Sequence, residues 1–382
     1  KSEYFVYLAD TANMPYGVYS QEKKTDLLRE HIIKDARFLL GKEYYRAAGT
    51  NRTQTDKLPV KAIVIACNTA TAYGKSAIER LLDAAGLDIK VIGVIDAGCR
   101  GALSHLEKDA DACVGVLATV GTVASKGYVR SLGVQKEVAG FTGEITVVQQ
   151  PGFGWAGAVD GSREYIAPKA DEPTGEYQGP AIRHERAPID VSLLPRYAFE
   201  WNNNEMLYAG TRRNPENLQI NSVENYVRYH LVTLLEAVRK TEGTPKLKAI
   251  ILGCTHYPYC RQEMRAKLQE LYDYQEDGEF LYRPVMAKKI ELVDPAVDTA
   301  RELFVHLRQH SLLNESDLKR SEFYISVPNT QNDKVQLESP GSFTHGYKYS
   351  RTAGEIQEYV KRLPFSKETL SSDVLNRLAS KV

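Results

Sequence analysis

Two cysteines in matching surroundings are the residues of this chain with the clearest potential for chemistry. The segment KAIVIACNT at 61–69 is echoed by KAIILGCTH at 248–256, and each is an apolar run leading to a cysteine, Cys67 or Cys254. In a parallel α/β sheet the ligand binds outside the carboxyl ends of the strands, so each echo places a thiol where a substrate would lie. Backbone N–H groups at a following helix start favour the thiolate, which predicts a lowered thiol pKa.

A pair of equivalent thiols suits racemisation, in which a proton leaves one face of a carbon and another arrives at the opposite face. One sulfur acts as the base and the other as the acid, and the roles exchange in the reverse direction. A lone buried cysteine is more often a packing residue, but two at matched strand ends favour a catalytic role. A one-base decarboxylase or isomerase, or a catalytically silent amino-acid-binding protein, remains an alternative.

Composition narrows the class of protein that could hold such a site. The 382 residues carry 49 Lys plus Arg and 49 Asp plus Glu, so no positive surplus favours nucleic acid as a partner. No apolar run approaches the roughly 20 residues of a membrane span, so a membrane is not expected either. Five cysteines are an odd and sparse set, which predicts reduced thiols and a cytoplasmic location.

The elements that must position the thiols follow an α/β pattern. Short apolar runs alternate with helix-like stretches, which predicts a parallel sheet flanked by helices, and their continuous apolarity predicts strands buried on both faces. The predicted strands are 4–8, 62–66, 91–95, 114–118, 145–148 and 249–252, and the predicted helices include 21–40, 71–82 and 226–239.

Two regions depart from this pattern. The proline-rich segment at about 160–221 reads as an irregular surface insertion, peripheral to the chemistry. The polar segment 311–382 reads as a C-terminal extension of unknown role, with a weak strand at 323–327 and a helix at 353–362.

Four motifs in the same order as in glutamate racemases give the chain a resemblance to that family. They are ADTANMPYG at 9–17, ACNTATA at 66–72, GVLATVGTV at 115–123 and LGCTHYP at 252–258. The resemblance covers about 4–150 and 226–307. It implies a cofactor-independent racemase of glutamate, with aspartate as the alternative substrate, built from two pseudosymmetric α/β lobes with the active site in the crevice between them.

The resemblance also implies the lobes and the residue roles. The first lobe would comprise 1–97 and 285–310, and the second 98–284. Cys67 would act on the D-enantiomer and Cys254 on the L-enantiomer, with His256 adjusting the second thiol. The family's first strand ends in Asp-Ser-Gly, and its place lies before Lys1, so we expect that strand upstream. The substrate would be held by Pro15, Tyr16, Gly17, Asn68, Thr69, Thr119, Thr122 and Thr255.

Other ligands are not expected. GFGWAG at 152–157 matches a dinucleotide-binding pattern, but no helix–strand continuation follows it. Cys254, His256 and Cys260 supply too few ligands at the wrong spacing for structural zinc. The expected partner is a small amino acid, with no metal and no cofactor, and a homodimer is left open.

Overall fold

A computed structural model describes residues 3–45, 53–316, 320–339, 341–352, 354 and 358–364. The chain divides into two compact units: unit 1 comprises Lys1–Gly93 with Ala300–Val382, and unit 2 comprises Val94–Thr299. No helix among the described residues is both long and apolar enough to cross a bilayer.

Helices and strands alternate through most of the described chain, and they are numbered here in chain order. Up to residue 93 they are β1 (Val6–Ala9), α1 (Tyr16–Gln21), α2 (Thr25–Leu40), β2 (Tyr44–Tyr45), β3 (Thr53–Gln54), β4 (Ala62–Ile65), α3 (Asn68–Ala84) and β5 (Lys90–Gly93). From 94 to 240 they are α4 (Val94–Leu103), β6 (Ala112–Ala118), α5 (Val120–Ala124), α6 (Gly127–Val138), β7 (Ile145–Pro151), α7 (Trp155–Val159), α8 (Leu194–Tyr197), β8 (Met206–Gly210), β9 (Pro215–Ile220) and α9 (Val223–Lys240). The remainder are β10 (Leu247–Gly253), α10 (Arg261–Asp273), β11 (Gln275–Glu276), β12 (Glu279–Phe280), β13 (Met286–Val293), α11 (Pro295–Gln309), β14 (Glu322–Pro328), β15 (Leu337–Ser339), β16 (Ser342–Phe343), α12 (His345–Ser350) and β17 (Glu358–Leu363).

Unit 2 is built on a four-stranded parallel sheet in the order β13-β10-β6-β7. All seven residues of β6 are buried, as are six of the seven in β10, which confirms the expectation of strands covered on both faces. Helix α9 packs against this sheet and contributes Leu231, Leu234 and Leu235, each with no exposed surface, to the core cluster of unit 2.

Unit 1 has a five-stranded mixed sheet, β1-β14-β17-β2-β3, and a separate parallel pair, β4-β5. Strand β14 runs parallel to β1 and antiparallel to β17. The expectation of burial on both faces is wrong for β1 and β4, because Tyr7 is 54% exposed and Val64 is 38% exposed. The α/β class of mostly parallel strands flanked by helices is nevertheless confirmed.

The proline-rich segment 160–221 is not a surface addition, contrary to the expectation. Tyr197, Leu218 and Ile220 are at most 2% exposed and belong to the same core cluster as Ile250 of the central strand β10. Strands β8 and β9 form an antiparallel hairpin within the segment. Prolines interrupt regular structure, but they do not prevent the apolar side chains between them from packing.

The unit bounds differ from the expected lobes at three places, of which the first is that residues 94–97 belong to unit 2. Residues 286–293, expected with the first lobe, form β13, which hydrogen-bonds β10 of unit 2. The expected C-terminal extension contributes β14 and β17 to the sheet of β1, so it is part of unit 1.

Within that C-terminal part, one local prediction holds and one fails. The strand predicted at 323–327 is confirmed as β14. The helix predicted at 353–362 is wrong over 358–362, because these residues belong to strand β17, which pairs with β14. Residues 353 and 355–357 of that prediction lie outside the described residues.

Candidate active site

Cys254 stands directly after β10, at the carboxyl edge of the parallel sheet of unit 2. The neighbouring strand β6 ends in register with it, since Gly253 pairs with Ala118. Thr119 therefore follows its strand at the same edge as Cys254. This is where the topology of a parallel sheet places a ligand.

A chain of two contacts links the Cys254 sulfur to a carboxylate. The sulfur lies 3.4 Å from Nδ1 of His256, and Nε2 of His256 lies 3.0 Å from Oδ2 of Asp160. With its proton on Nε2, donated to Asp160, the imidazole presents Nδ1 as an acceptor for the thiol proton. The arrangement can therefore move a proton off Cys254 and stabilise the imidazolium that results.

Burial, rather than the helix start, dominates the ionisation of both thiols. Desolvation raises the pKa of Cys254 to about 11, against a lowering hydrogen bond from the His256 backbone. Burial likewise raises the pKa of Cys67, although hydrogen bonds from Ala70 and Thr69 oppose it. The expectation of lowered pKa values is wrong for the free protein, because removing a thiolate from water outweighs these donors. Burial thus favours the protonated form of each thiol, and at Cys254 the neighbouring His256 can accept the proton.

Two of the three threonines predicted in unit 2, Thr119 and Thr122, lie together at the start of α5. Thr119 is the N-cap, its Oγ1 accepts from Thr122 N at 3.4 Å, and the two hydroxyl oxygens are 2.9 Å apart. Thr122 is 2% exposed, whereas Thr255 is exposed. Thr119 is thus held in place by the cap while its hydroxyl retains hydrogen-bonding capacity.

Cys67 occupies the equivalent position in unit 1, after β4 and at the N-cap of α3. Its sulfur accepts a hydrogen bond from Ala70 N at 3.5 Å, and the Thr71 hydroxyl donates to the Cys67 carbonyl at 2.9 Å. Asn68 and Thr69 open the helix beside it, with Thr69 buried. Backbone N–H groups at this helix start can stabilise a negative charge that forms on the sulfur.

The predicted substrate residues of the first motif form the turn into α1. Pro15 is exposed at the N-cap, and the space next to Gly17 is open. Tyr16 is 6% exposed, and it packs in the same core cluster that Cys67 contacts. These residues therefore share the region of unit 1 that carries the first thiol.

The Tyr16 hydroxyl lies between two carboxylates, 2.5 Å from Oδ2 of Asp10 and 2.8 Å from Oδ2 of Asp35. One hydroxyl proton cannot satisfy both as anions. Burial and the Asp10 charge raise the pKa of Asp35 well above its ordinary value, which favours its neutral form. The contacts to both carboxylates fix the ring of Tyr16 and leave its hydroxyl engaged within the protein.

The glycines of GFGWAG have a packing explanation. A Cβ on Gly152 would lie 1.9 Å from the Tyr257 hydroxyl, and one on Gly157 would lie 2.2 Å from the ring of Tyr165. Tyrosine side chains therefore require glycine at these positions. No group of three or more His, Cys, Asp or Glu residues among the described ones is arranged to hold a metal ion.

Comparisons with known proteins agree with the motifs, although no family model matches the chain. The glutamate racemase of Oceanobacillus iheyensis is 25% identical over 316 residues, covering 83% of this chain and 74% of that protein. The glutamate racemase of Carboxydothermus hydrogenoformans is 25% identical over 354 residues, covering 91% and 85%. The chain is a divergent relative of the glutamate racemases. The resemblance inferred from the four motifs is thereby confirmed.

Solved structures of glutamate racemases are also among the similar proteins. That from Bacillus anthracis has a TM-score of 0.45 at 20% identity, over 84% of this chain and 77% of that one. That from Francisella tularensis, in complex with D-glutamate, has a TM-score of 0.42 at 20% identity, over 85% and 78%.

Asp160 is the residue that the resemblance to glutamate racemases did not supply. It caps the end of α7 and lies 96 residues before His256, in the proline-rich segment that was expected to be peripheral to the chemistry. An acidic residue at the end of a short apolar stretch has no local signal for such a role. Only the tertiary packing of unit 2, in which α7 contacts α9, brings it to His256.

Proposed function

We propose that this protein interconverts L- and D-glutamate by proton transfer between substrate and two thiols, with no cofactor. The thiolate of one cysteine takes the α-proton, and the thiol of the other donates its proton to the opposite face of the resulting carbanion. Cys254 is assigned to the L-enantiomer and Cys67 to the D-enantiomer. The relatives that cover most of the chain carry the name glutamate racemase, which supports glutamate as the substrate.

The observation that carries the proposal is the contact chain from Cys254 through His256 to Asp160. With a pKa of about 11, the Cys254 thiol is almost entirely protonated at neutral pH, so by itself it cannot accept the α-proton. A histidine that can accept its proton, backed by a carboxylate, generates the thiolate when needed and returns the proton for the reverse direction. A silent binding protein has no need of this arrangement.

Substrate groups are assigned to the residues that surround each thiol. Asn68, Thr69 and the turn of Pro15 to Gly17 serve on the side of Cys67. Thr119, Thr122 and Thr255 serve on the side of Cys254. Hydroxyl and amide groups of this kind can donate to the carboxylates of an acidic amino acid, and their oxygens can accept from its amino group.

Turnover in D₂O tests the assignment of the two sulfurs. The wild-type protein should place deuterium at Cα of the inverted product. Cys67→Ala and Cys254→Ala should each lower racemisation by about 10² to 10⁴. Residual exchange without inversion should favour L-glutamate in Cys67→Ala and D-glutamate in Cys254→Ala, because each variant keeps one sulfur on one face.

Cys99→Ala is the matched control. Cys99 is fully buried and its pKa is raised to about 12, so its loss should leave turnover nearly unchanged. Racemisation at near wild-type rate without Cys67 or Cys254 would contradict the two-base mechanism, and dependence on only one of them would favour a one-base isomerase or decarboxylase. A tenfold higher kcat/KM for aspartate would contradict the choice of glutamate.

A further inference from the structure

The C-terminal part of unit 1 hydrogen-bonds to the turn that follows β1. The parallel register pairs Ala9 with Ile325, so Ser326 comes opposite Asp10. The Ser326 hydroxyl donates to Oδ1 of Asp10 at 2.5 Å and accepts from Ala12 N at 3.0 Å. Its carbonyl accepts from the Thr11 hydroxyl at 2.6 Å. One residue, 2% exposed, thus binds three successive residues of the turn.

A second set of contacts comes from the end of α12. Arg351 is 8% exposed; its Nη2 donates to Oδ1 of Asn13 and to Nε2 of His31, the latter at 2.8 Å. Lys348 Nζ donates to the Met14 carbonyl at 2.8 Å. The turn is therefore held along its length by residues more than 300 positions away in the sequence.

The Asp10 carboxylate is contacted by Ser326 directly and linked to Arg351 through Asn13. Besides the Ser326 hydroxyl, it accepts from the Asn13 amide at 2.8 and 3.0 Å and from the Tyr16 hydroxyl at 2.5 Å. A carboxylate that is 5% exposed needs these donors, because an unpartnered buried charge is strongly disfavoured. Loss of one donor reorients the carboxylate, and Tyr16 follows because its hydroxyl is bound to it.

We propose that Ser326 and Arg351 are positioning residues that hold the 10–17 turn in the conformation that binds substrate. They touch no substrate themselves and act through Asp10 and Asn13 on Tyr16 and the open space beside Gly17. This inference rests on the proposed function, since that function assigns the turn to substrate binding. The C-terminal segment thereby contributes to substrate binding by positioning this turn.

Steady-state kinetics of Ser326→Ala and Arg351→Gln, each checked by its melting temperature, tests the coupling. Each should raise KM for both glutamate enantiomers about tenfold, the effect of one lost charge-assisted hydrogen bond, and change kcat less than threefold. Ser339→Ala, at an exposed serine of the same segment, should leave both constants unchanged. A KM within twofold of wild type in both variants would overturn the proposal. If Ser326→Ala does not fold, Arg351→Gln decides.

A double-mutant cycle with Tyr16→Phe separates positioning from general destabilisation. If Ser326 acts through Asp10 on Tyr16, adding Ser326→Ala to Tyr16→Phe should raise KM no further. If the two substitutions raise KM by factors that multiply in the double variant, Ser326 does not act through Tyr16.

Hydrogen exchange keeps the inference separable from the proposed function. The Ala12 amide should exchange at least tenfold faster in Ser326→Ala than in Ser339→Ala, whether or not the protein racemises glutamate. Absence of racemase activity in the wild type would defeat the proposed function alone, whereas unchanged exchange at 10–17 would defeat the positioning role.

Discussion

At Cys254, burial of the sulfur and the groups beside it act in opposite directions on the thiol pKa. The sulfur belongs to a residue that is 7% exposed, and desolvation is the larger effect. The His256 backbone donor lowers the pKa, and the negative charge of Asp160 raises it. The resting thiol is thus a proton donor, which suits the acid half of a two-base reaction, and the base half depends on His256.

This ionisation predicts how the free protein reacts with an alkylating reagent. With a pKa of about 11, only about one thiol in 10³ is thiolate at pH 8, so reaction of Cys254 with iodoacetamide should be slow and rise about tenfold per pH unit up to pH 10. Mass spectrometry of the Cys254 peptide measures the rate. In urea-unfolded protein the same profile should level off above pH 9. A folded-state plateau below pH 9.5 would contradict the raised pKa.

Among the helices, α9 shows how an apolar element keeps a titratable group uncharged. His230 has no exposed surface; it stacks on Trp155 with the ring planes 10° apart. Its Nε2 lies 3.2 Å from the Phe153 carbonyl and its Nδ1 lies 3.3 Å from the Gln150 amide nitrogen. A neutral ring with its proton on Nε2 satisfies both. Burial therefore lowers the pKa of His230 to about 3.

A fall in pH should consequently lower the free energy of unfolding of unit 2, because His230 of α9 stays neutral in the folded protein. Below pH 6.5 the unfolded chain binds a proton at His230 that the folded chain does not, so the free energy of unfolding falls as pH falls towards 3. Between pH 6.5 and 5 the loss is about 2 kcal/mol. Urea unfolding at the two pH values measures this loss. In His230→Gln the loss of unfolding free energy should be smaller than in the wild type by that amount. His345→Gln, at an exposed histidine, should behave as wild type, and an equal acid loss in His230→Gln would refute the assignment.

For the molecule as a whole, segments that look dispensable in the sequence complete both units. Residues 160–221 place Tyr197, Leu218 and Ile220 in the core of unit 2, and they begin with the carboxylate that contacts His256. The part beyond 311 adds two strands to the sheet of β1 and holds the turn after it. Each segment is therefore an integral part of the unit to which it belongs.

Deletion of the proline-rich segment should therefore destroy unit 2. Replacing 162–221 by a short Gly-Ser bridge removes apolar side chains that are buried in the core, at a cost of about 2 to 5 kcal/mol for each large one. Circular dichroism and calorimetry should show no cooperative transition for the unit. Shortening only the exposed turn 211–214 is the control and should retain the wild-type melt within a few degrees. A cooperative melt after the full deletion would restore the interpretation of a peripheral insertion.

The sequence by itself determined the α/β class, the positions of β4, β6, β10 and α9, and the two thiols. These features depend on contiguous residues: the apolar period of a buried strand or helix, and a cysteine at its end. The tertiary structure decided the rest, because those properties depend on which distant segments pack together. Asp160 reaches His256 across 96 residues, and Ser326 reaches Asp10 across 316. Burial of the sulfur, a property of the packed core, reversed the direction of the thiol pKa that the helix start alone had predicted.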